Sequence, residues 1–202
     1  MNILIVGAHP DDYELGMAGT IKKHVKEGQN IISIIMSNGE AIGGTNERVK
    51  EAKKSAKFLG INTIYFLNFK DTKISSGIGS IKKIEQIIKK HKIDRIYTHS
   101  LRDTHQDHRN TCLAVLSAGR NVGQILFFES PSSDLDFRPT FFIDISSYLK
   151  EKINSLNIYK SLLKLKKRYL EIKAMTDSAS FRGYQSNLKY AECFEVFRFI
   201  EK

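Results

Sequence analysis

Five short apolar runs, at residues 3–8, 31–36, 64–69, 93–98 and 124–128, are separated by stretches in which apolar residues recur every three or four positions. Runs of that length suit buried strands, and the stretches between them suit amphipathic helices. The first helix carries Leu15, Ala18, Ile21 and Val25 and stops near Gly28. The second carries Val49, Ala52, Ala56 and Leu59, with Gly60 placed as a C-terminal cap. Ile78, Ile81, Ile84, Ile87 and Ile88 mark a third, and a fourth covers about 107–118. Strand–helix alternation with short links predicts an α/β, Rossmann-like fold: a mostly parallel sheet with helices on both faces.

Past Pro131 the regularity breaks. Residues 140–145 read as a strand, 148–175 as one long lysine-rich helical region, and 190–200 as containing a final strand. No repeat, low-complexity tract or linker interrupts the chain. With 202 residues and 41% apolar content, it is long enough for one buried core and short for two. Residues 1–202 are expected to form a single domain.

No apolar run approaches the length of a membrane span. Met1 leads straight into an apolar strand, with no basic segment before it and no small-residue cleavage site after it, unlike a signal peptide. Cys112 and Cys193 lie far apart without metal-type spacing, so a reduced, cytoplasmic protein is expected. The net charge of +10 comes mostly from lysine pairs on the helices, such as Lys22-Lys23, Lys53-Lys54 and Lys82-Lys83. Such pairs form solvated faces that exert a modest pull on anions. No arginine-rich, aromatic-interleaved stretch accompanies them, so a small-molecule substrate is expected and nucleic acid is not. Oligomeric state, including a homo-oligomer, stays open.

In open α/β sheets, ligands bind beyond the carboxyl ends of the strands. His9, Asp11 and Asp12 follow strand one, and Arg48 lies in the first turn of the helix after strand two. Asp71 follows strand three, Asp103, His105, Asp107 and His108 follow strand four, and Glu129 follows strand five. All fall on one edge. Pro-Asp-Asp alone is an ordinary turn, and aspartate a common helix cap. A histidine directly before it, at the end of a buried strand, points to a site instead. His105 and His108 can face one centre, with Asp107 close enough to orient one ring. Two histidines and two aspartates suffice for a small metal site with a spare carboxylate, the composition of metal-assisted hydrolysis. Which aspartate would be ligand and which base, the spacing leaves open. His24 and His91 read as polar helix-face residues, and His99 as the one alternative ligand. The first turn lacks the dinucleotide-binding glycines and places carboxylates where a pyrophosphate would sit. No Gly-x-Ser-x-Gly is present, and neither cysteine lies in these loops, which argues against a covalent route.

Ala8-His9-Pro10-Asp11-Asp12 and His105-Gln106-Asp107-His108 resemble the two leading motifs of the PIG-L (LmbE-like) family of zinc-dependent N-acetyl-sugar deacetylases. Arg48 with Glu51, Leu59-Gly60, Asp71, Asp103 and Tyr190-Ala191-Glu192-Cys193-Phe194 extend the resemblance over nearly the whole chain. Tyr13, with Glu14 one place later, departs from the frequent glutamate or valine, and Gln106 from the usual proline. Neither change removes a ligand.

The resemblance implies a hydrolase that cleaves the linear amide of an N-acetylated amino sugar, such as an N-acetylglucosamine derivative or glycoconjugate. His9, Asp12 and His108 would bind Zn2+ or another divalent ion such as Fe2+, with Asp11 as general base. A protonated His105 would stabilise the oxyanion, Asp107 would hold the His105 ring, and Arg48, Asp71 and Asp103 would bind substrate. Alternatives are a same-family amidase acting on another amide, a non-catalytic metal- or sugar-binding module, or a nucleic-acid-binding protein. Loops 39–46, 71–79, 131–139 and 177–187 would set substrate choice. Gly43-Gly44 and Gly77-Ile78-Gly79 are compatible with a lid.

Overall fold

The computed structural model describes residues 1–42 and 45–201, so the Gly43-Gly44 pair of the expected lid lies outside the described residues. The strands are β1 (Asn2–Gly7), β2 (Asn30–Ser37), β3 (Thr63–Phe69), β4 (Arg95–Thr98), β5 (Gln124–Phe128), β6 (Phe141–Asp144) and β7 (Ala191–Phe199). They form one sheet in the order β3-β2-β1-β4-β5-β7-β6. The first five strands run parallel, and β7 runs antiparallel to both β5 and β6. The helices are α1 (Asp12–Lys26), α2 (Thr45–Leu59), α3 (Ile78–His91), α4 (Gln106–Ala118), α5 (Leu149–Leu156), α6 (Lys160–Leu163) and α7 (Ile172–Gln185). Among the described residues, no helix is long and apolar enough to cross a membrane.

Both faces of the central strands are covered, which is why they read as unbroken apolar runs. Ile3 and Ile5 pack with Tyr13, Met17 and Ile21 of α1 and with α2 and α5–α7. Leu4 and Val6 face the other way, onto Ile84 of α3 and Cys112 and Val115 of α4. The alternation of β1 side chains thus feeds two separate cores. From β1 the chain builds outward through β2 on one side and through β4 on the other, so strand order reverses between β1 and β4. The carboxyl ends of these two strands border the crevice where such sheets bind ligands.

The expected long helix over 148–175 is instead a broken series: α5, the single turn of α6, a 3-10 turn at Arg168–Leu170, and then α7. Leu156 and Leu162 are both buried, yet at their spacing a continuous helix would turn them to different sides. The breaks let both turn inward. His24 also departs from expectation: it is 7% exposed and sets Nε2 3.0 Å from the Tyr97 hydroxyl. His91, at the end of α3, meets the Tyr65 hydroxyl at 2.8 Å.

Helix α1 is interrupted at Met17, whose φ of −151° and ψ of 24° are not helical. Gly16 beside it packs so closely that a Cβ would lie 2.6 Å from the Phe128 ring and 2.9 Å from the Glu129 carbonyl oxygen. The interruption frees backbone groups that cannot be left unpaired in a core. Lys152 donates to the Leu15 carbonyl at 2.6 Å and the Glu14 carbonyl at 3.4 Å on one side of it. Glu192 accepts the Gly19 and Thr20 amides at 3.1 and 2.6 Å on the other. The two side chains meet at 2.6 Å, both nearly inaccessible. Together they splint the broken helix.

Removing one member of a buried, fully bonded pair costs about 3–5 kcal/mol. Lys152→Met is expected to lower unfolding stability by about that amount in urea denaturation at unchanged slope. A midpoint shift worth less than about 0.5 kcal/mol, the size expected of an ordinary surface change, would show the pair to be dispensable.

Candidate active site

The turn out of β1 is made by local chemistry. The His9 amide donates to Asp12 Oδ2 at 2.7 Å, closing a short side-chain turn at the start of α1. Asp11, between them, has φ 97° and ψ −19°, a left-handed backbone that costs a residue with a side chain about 1–3 kcal/mol. Strain of that kind persists where surroundings over-determine it. Here Arg48 of α2 supplies the constraint. Its Nη2 donates to the Pro10 carbonyl at 3.1 Å and reaches Asp11 Oδ1 at 3.5 Å, while Nη1 donates to the Gly39 carbonyl at 2.6 Å. The guanidinium lies against Gly39 so tightly that a Cβ there would be 2.1 Å from Nη1, and Gly39 itself has φ +72°.

Strand β4 delivers the facing half. His99, directly after it, sets Nε2 2.9 Å from Asp12 Oδ2. The loop then reaches α4, where His105 caps the helix: its Nδ1 accepts the Asp107 amide at 3.2 Å. His108, in the first turn, points Nε2 at Asp12 Oδ1 (3.4 Å) and Nδ1 at Asp103 Oδ2 (2.9 Å). Its ring is sandwiched between His99, 3.8 Å away centre to centre, and His105, 4.5 Å away. His9 places Nδ1 3.8 Å from Asp12 and Nε2 3.0 Å from Asp71 and 3.1 Å from Asp107.

Three overlapping groups of donor atoms lie within 4.8 Å of one another: His9, His105 and His108; Asp12, His99 and His108; and His9, Asp71 and Asp107. The donors are imidazole nitrogens and carboxylate oxygens, the set that suits zinc and other borderline divalent ions. The charge balance fits as well. Asp11, Asp12, Asp71, Asp103 and Asp107 are all at most 7% exposed, and Arg48 is the permanent cation buried among them. Such a cluster needs further positive charge.

The titration behaviour reflects that need. Burial alone would lower His9, but Asp107 and Asp71 outweigh it and raise the ring to about 10. Burial likewise opposes His108, which Asp12 and Asp103 raise to about 9. Burial and the His108 charge lower His99 to about 4, and burial with the charges of His108 and His9 lowers His105. Burial and the adjacent Asp12 push Asp11 up to about 7, against Arg48. Burial opposes ionisation of Asp12 too, but His108 and His99 hold its carboxyl well below the usual range.

All the residues singled out on the strand ends gather at this edge except Glu129, whose carboxylate turns away to Arg182 of α7 at 3.0 Å. Several contacts differ from the expected ones. The Asp107 carboxylate does not hold His105. It accepts the Thr72 and Ile74 amides at 2.8 and 3.3 Å and faces His9, because its side chain is directed under the loop after β3. Arg48, Asp71 and Asp103, which the resemblance implies bind substrate, are buried and engaged with neighbours. Asp71 accepts the Ala41 amide at 2.9 Å as well as facing His9, and Asp103 takes the Ser130 hydroxyl at 2.6 Å as well as facing His108.

Ser130, Ser132 and Glu40 gave no sequence signal. Ser132 Oγ lies 3.3 Å from His108 Nδ1, and Glu40 accepts the Asp71 amide at 2.8 Å. His99 belongs in the cluster, and its place directly after strand four was the available clue.

A Rossmann-like sheet with a buried His/Asp cluster at its strand-order reversal defines a class of ligand-binding α/β protein. Residues 4–119 match the family model described as GlcNAc-PI de-N-acetylase, PIG-L. The chain is 35% identical over 167 residues to YaiS of Escherichia coli (strain K12), an uncharacterized deacetylase, covering 79% of this chain and 90% of that one. It is 26% identical over 221 residues to the diacetylchitobiose deacetylase of Thermococcus kodakarensis, covering 94% and 80%. This chain belongs to the PIG-L family. Its fold is shared by TT1542 from Thermus thermophilus (TM-score 0.87, 22% identity, 99% and 96% of the two chains). It is also shared by GalB, a 4-carboxy-2-hydroxymuconate hydratase from Pseudomonas putida (TM-score 0.83, 21% identity, 100% and 98%).

In chelator-treated protein, NMR titration is expected to find His9 and His108 still protonated at about pH 8, and His99 neutral down to about pH 5. Adding Zn2+ at about pH 8 should then release protons, measurable as a buffer-dependent binding heat. A common imidazole pKa near 6.5 for the three rings would contradict the charge balance.

Proposed function

We propose that this protein is a metal-dependent hydrolase that removes the acetyl group from an N-acetylated amino sugar. The observation that carries the reading is that Asp12 faces both His9, at 3.8 Å, and His108, at 3.4 Å, within a buried cluster of imidazole and carboxylate donors, with a second carboxylate, Asp11, beside it and raised to about 7. Family membership and two relatives named deacetylases support the same chemistry.

His9, Asp12 and His108 would hold the cation, Zn2+ or another divalent ion such as Fe2+. When bound, that ion supplies Lewis acidity, polarising the amide carbonyl and acidifying a water. Asp11, near neutrality, is placed to take a proton from the attacking water and to return it to the departing amine, a two-way role that needs a pKa near the working pH. Arg48 positions Asp11 by gripping both its carboxylate and the preceding carbonyl. Asp103 orients the His108 ring, while Asp71 and Asp107 orient His9.

His105 enters as a neutral donor. Its Nδ1 accepts an amide, which leaves the ring proton on Nε2, and its neighbours disfavour a second proton. A donor aimed at developing oxyanion charge is worth about 2.7–4 kcal/mol. This differs from the protonated His105 that the resemblance implies. Arg48, Asp71 and Asp103 enter this reading as positioning groups.

Asp11→Asn is expected to lower kcat by about 10²–10⁴ while metal content stays near that of the parent. His108→Ala should lose both metal and turnover. Strong chelators should abolish acetate release, and Zn2+ or Fe2+ should restore it. Full activity in Asp11→Asn would remove the base assignment. Persistent activity after exhaustive metal removal would remove the metal-dependent reading. Measuring acetate itself separates deacetylation from other water-activating reactions that this fold supports.

A further inference from the structure

The loops after β4 and β5 are joined edge to edge. Asp134 donates its amide to the Arg102 carbonyl at 2.9 Å, and Thr104 donates to the Ser132 carbonyl at 2.8 Å. Between these bonds Asp103 and Ser133 form an antiparallel bridge. The second loop, Ser130-Pro131-Ser132-Ser133, is itself a turn, preset by the proline in its second place. The Ser133 amide donates to the Ser130 carbonyl at 3.0 Å, and its hydroxyl accepts the Ser130 amide at 2.9 Å. The join presses the hydroxyl of Ser130, a buried residue, against a carboxylate of the His/Asp cluster.

That carboxylate, Asp103, uses its two oxygens unequally. Oδ1 accepts one amide, from His105 at 2.8 Å. Oδ2 accepts two donors at once, His108 Nδ1 at 2.9 Å and the Ser130 hydroxyl at 2.6 Å. Since an ionised carboxylate only accepts, the His108 ring carries a proton on Nδ1, and Nε2 is the atom that faces Asp12. Ser132 completes a closed ring of contacts. Its hydroxyl lies 3.1 Å from the Ser130 hydroxyl and 3.3 Å from His108 Nδ1. Because the Ser130 proton is committed to Asp103, Ser132 is the donor in the first of these contacts.

Two donors on one oxygen compete. A carboxylate that accepts the outer N–H of a ligating imidazole makes that ring a stronger electron donor. A hydroxyl bonded to the same oxygen draws off part of the charge, and in a buried site the effect is little screened. We propose that Ser130 is a positioning residue of the metal centre: by donating to the Asp103 oxygen that holds His108, it limits how strongly the ring donates to a bound cation and so preserves the cation's Lewis acidity. The inference rests on His108 as a metal ligand, part of the proposed function, and is independent of which amide is cleaved.

The sign of a change in zinc affinity separates this role from a purely structural one. Metal-free parent, Ser130→Ala and Ser130→Thr proteins are titrated with Zn2+ against a chromophoric chelator. Ser130→Ala should bind Zn2+ about three- to tenfold more tightly, with the His108 Nδ1 proton moved downfield in the NMR spectrum. Turnover per bound ion should fall by about the same factor. Ser130→Thr, which keeps the hydroxyl, should restore the affinity and the proton shift. In the parent, a slowly exchanging hydroxyl proton should show a nuclear Overhauser contact with the His108 Nδ1 proton, which tests the arrangement even if Ser130→Ala fails to fold.

Unchanged zinc affinity in folded Ser130→Ala overturns the proposal. So does a loss of about 10–100-fold, the effect of removing a mere support of a ligand. Absence of the hydroxyl contact in the parent overturns it as well. Failure of the parent to take up Zn2+ is a distinct result, which removes the metal-dependent reading and the role of Ser130 with it. Tighter zinc binding in Ser130→Ala without acetate release by the parent removes only the deacetylase reading and leaves the role of Ser130 standing.

Discussion

Five buried carboxylates at one edge of a sheet are the constraint from which the rest of this site follows. Ionised side chains out of water are costly unless opposite charge lies beside them. Arg48, His9 and His108 provide it, and each is bonded on more than one side. The result is a set of rings and carboxylates whose directions are over-determined before any ligand arrives. Preorganisation of this kind lets a hydrolytic site act without reorganising at the moment of reaction.

The same economy of bonding extends into the core. The break in α1 lies one turn beyond Asp12, and the Lys152–Glu192 pair closes it from α5 and β7. Elements far along the chain thereby support the turn that presents Asp11 and Asp12. The pair also lines a cavity together with residues of α7 and the 129–137 segment. Net charge and local charge point in opposite directions here. The lysine-rich surface gives a basic molecule, while the cavity holds no unengaged lysine or arginine among its described lining residues.

Much of the architecture was legible because strands buried on both faces and helices buried on one leave different periodicities. The sites of His9, Asp12 and His108 could be read from their places after strands one and four, since a parallel sheet sends all such residues to one edge. Roles within the cluster were less legible. Arg48, Asp71 and Asp103 stood at the correct edge, yet nothing in their spacing told that they face Asp11, His9 and His108 rather than open space. Asp107 sits beside His105 in the chain and beside His9 in space.

By itself, then, the sequence determined the layered sheet, the edge that gathers the polar residues, and the chemical types available there. Those depend on local periodicity and on the direction of each strand, which neighbouring residues encode. Only the tertiary structure decided which carboxylate meets which ring, that His99 joins the cluster, that residues 148–175 break into turns, and that Lys152 and Glu192 bridge a gap in α1. Those outcomes depend on contacts between residues far apart in the chain, whose energies come from burial and charge pairing rather than from local pattern.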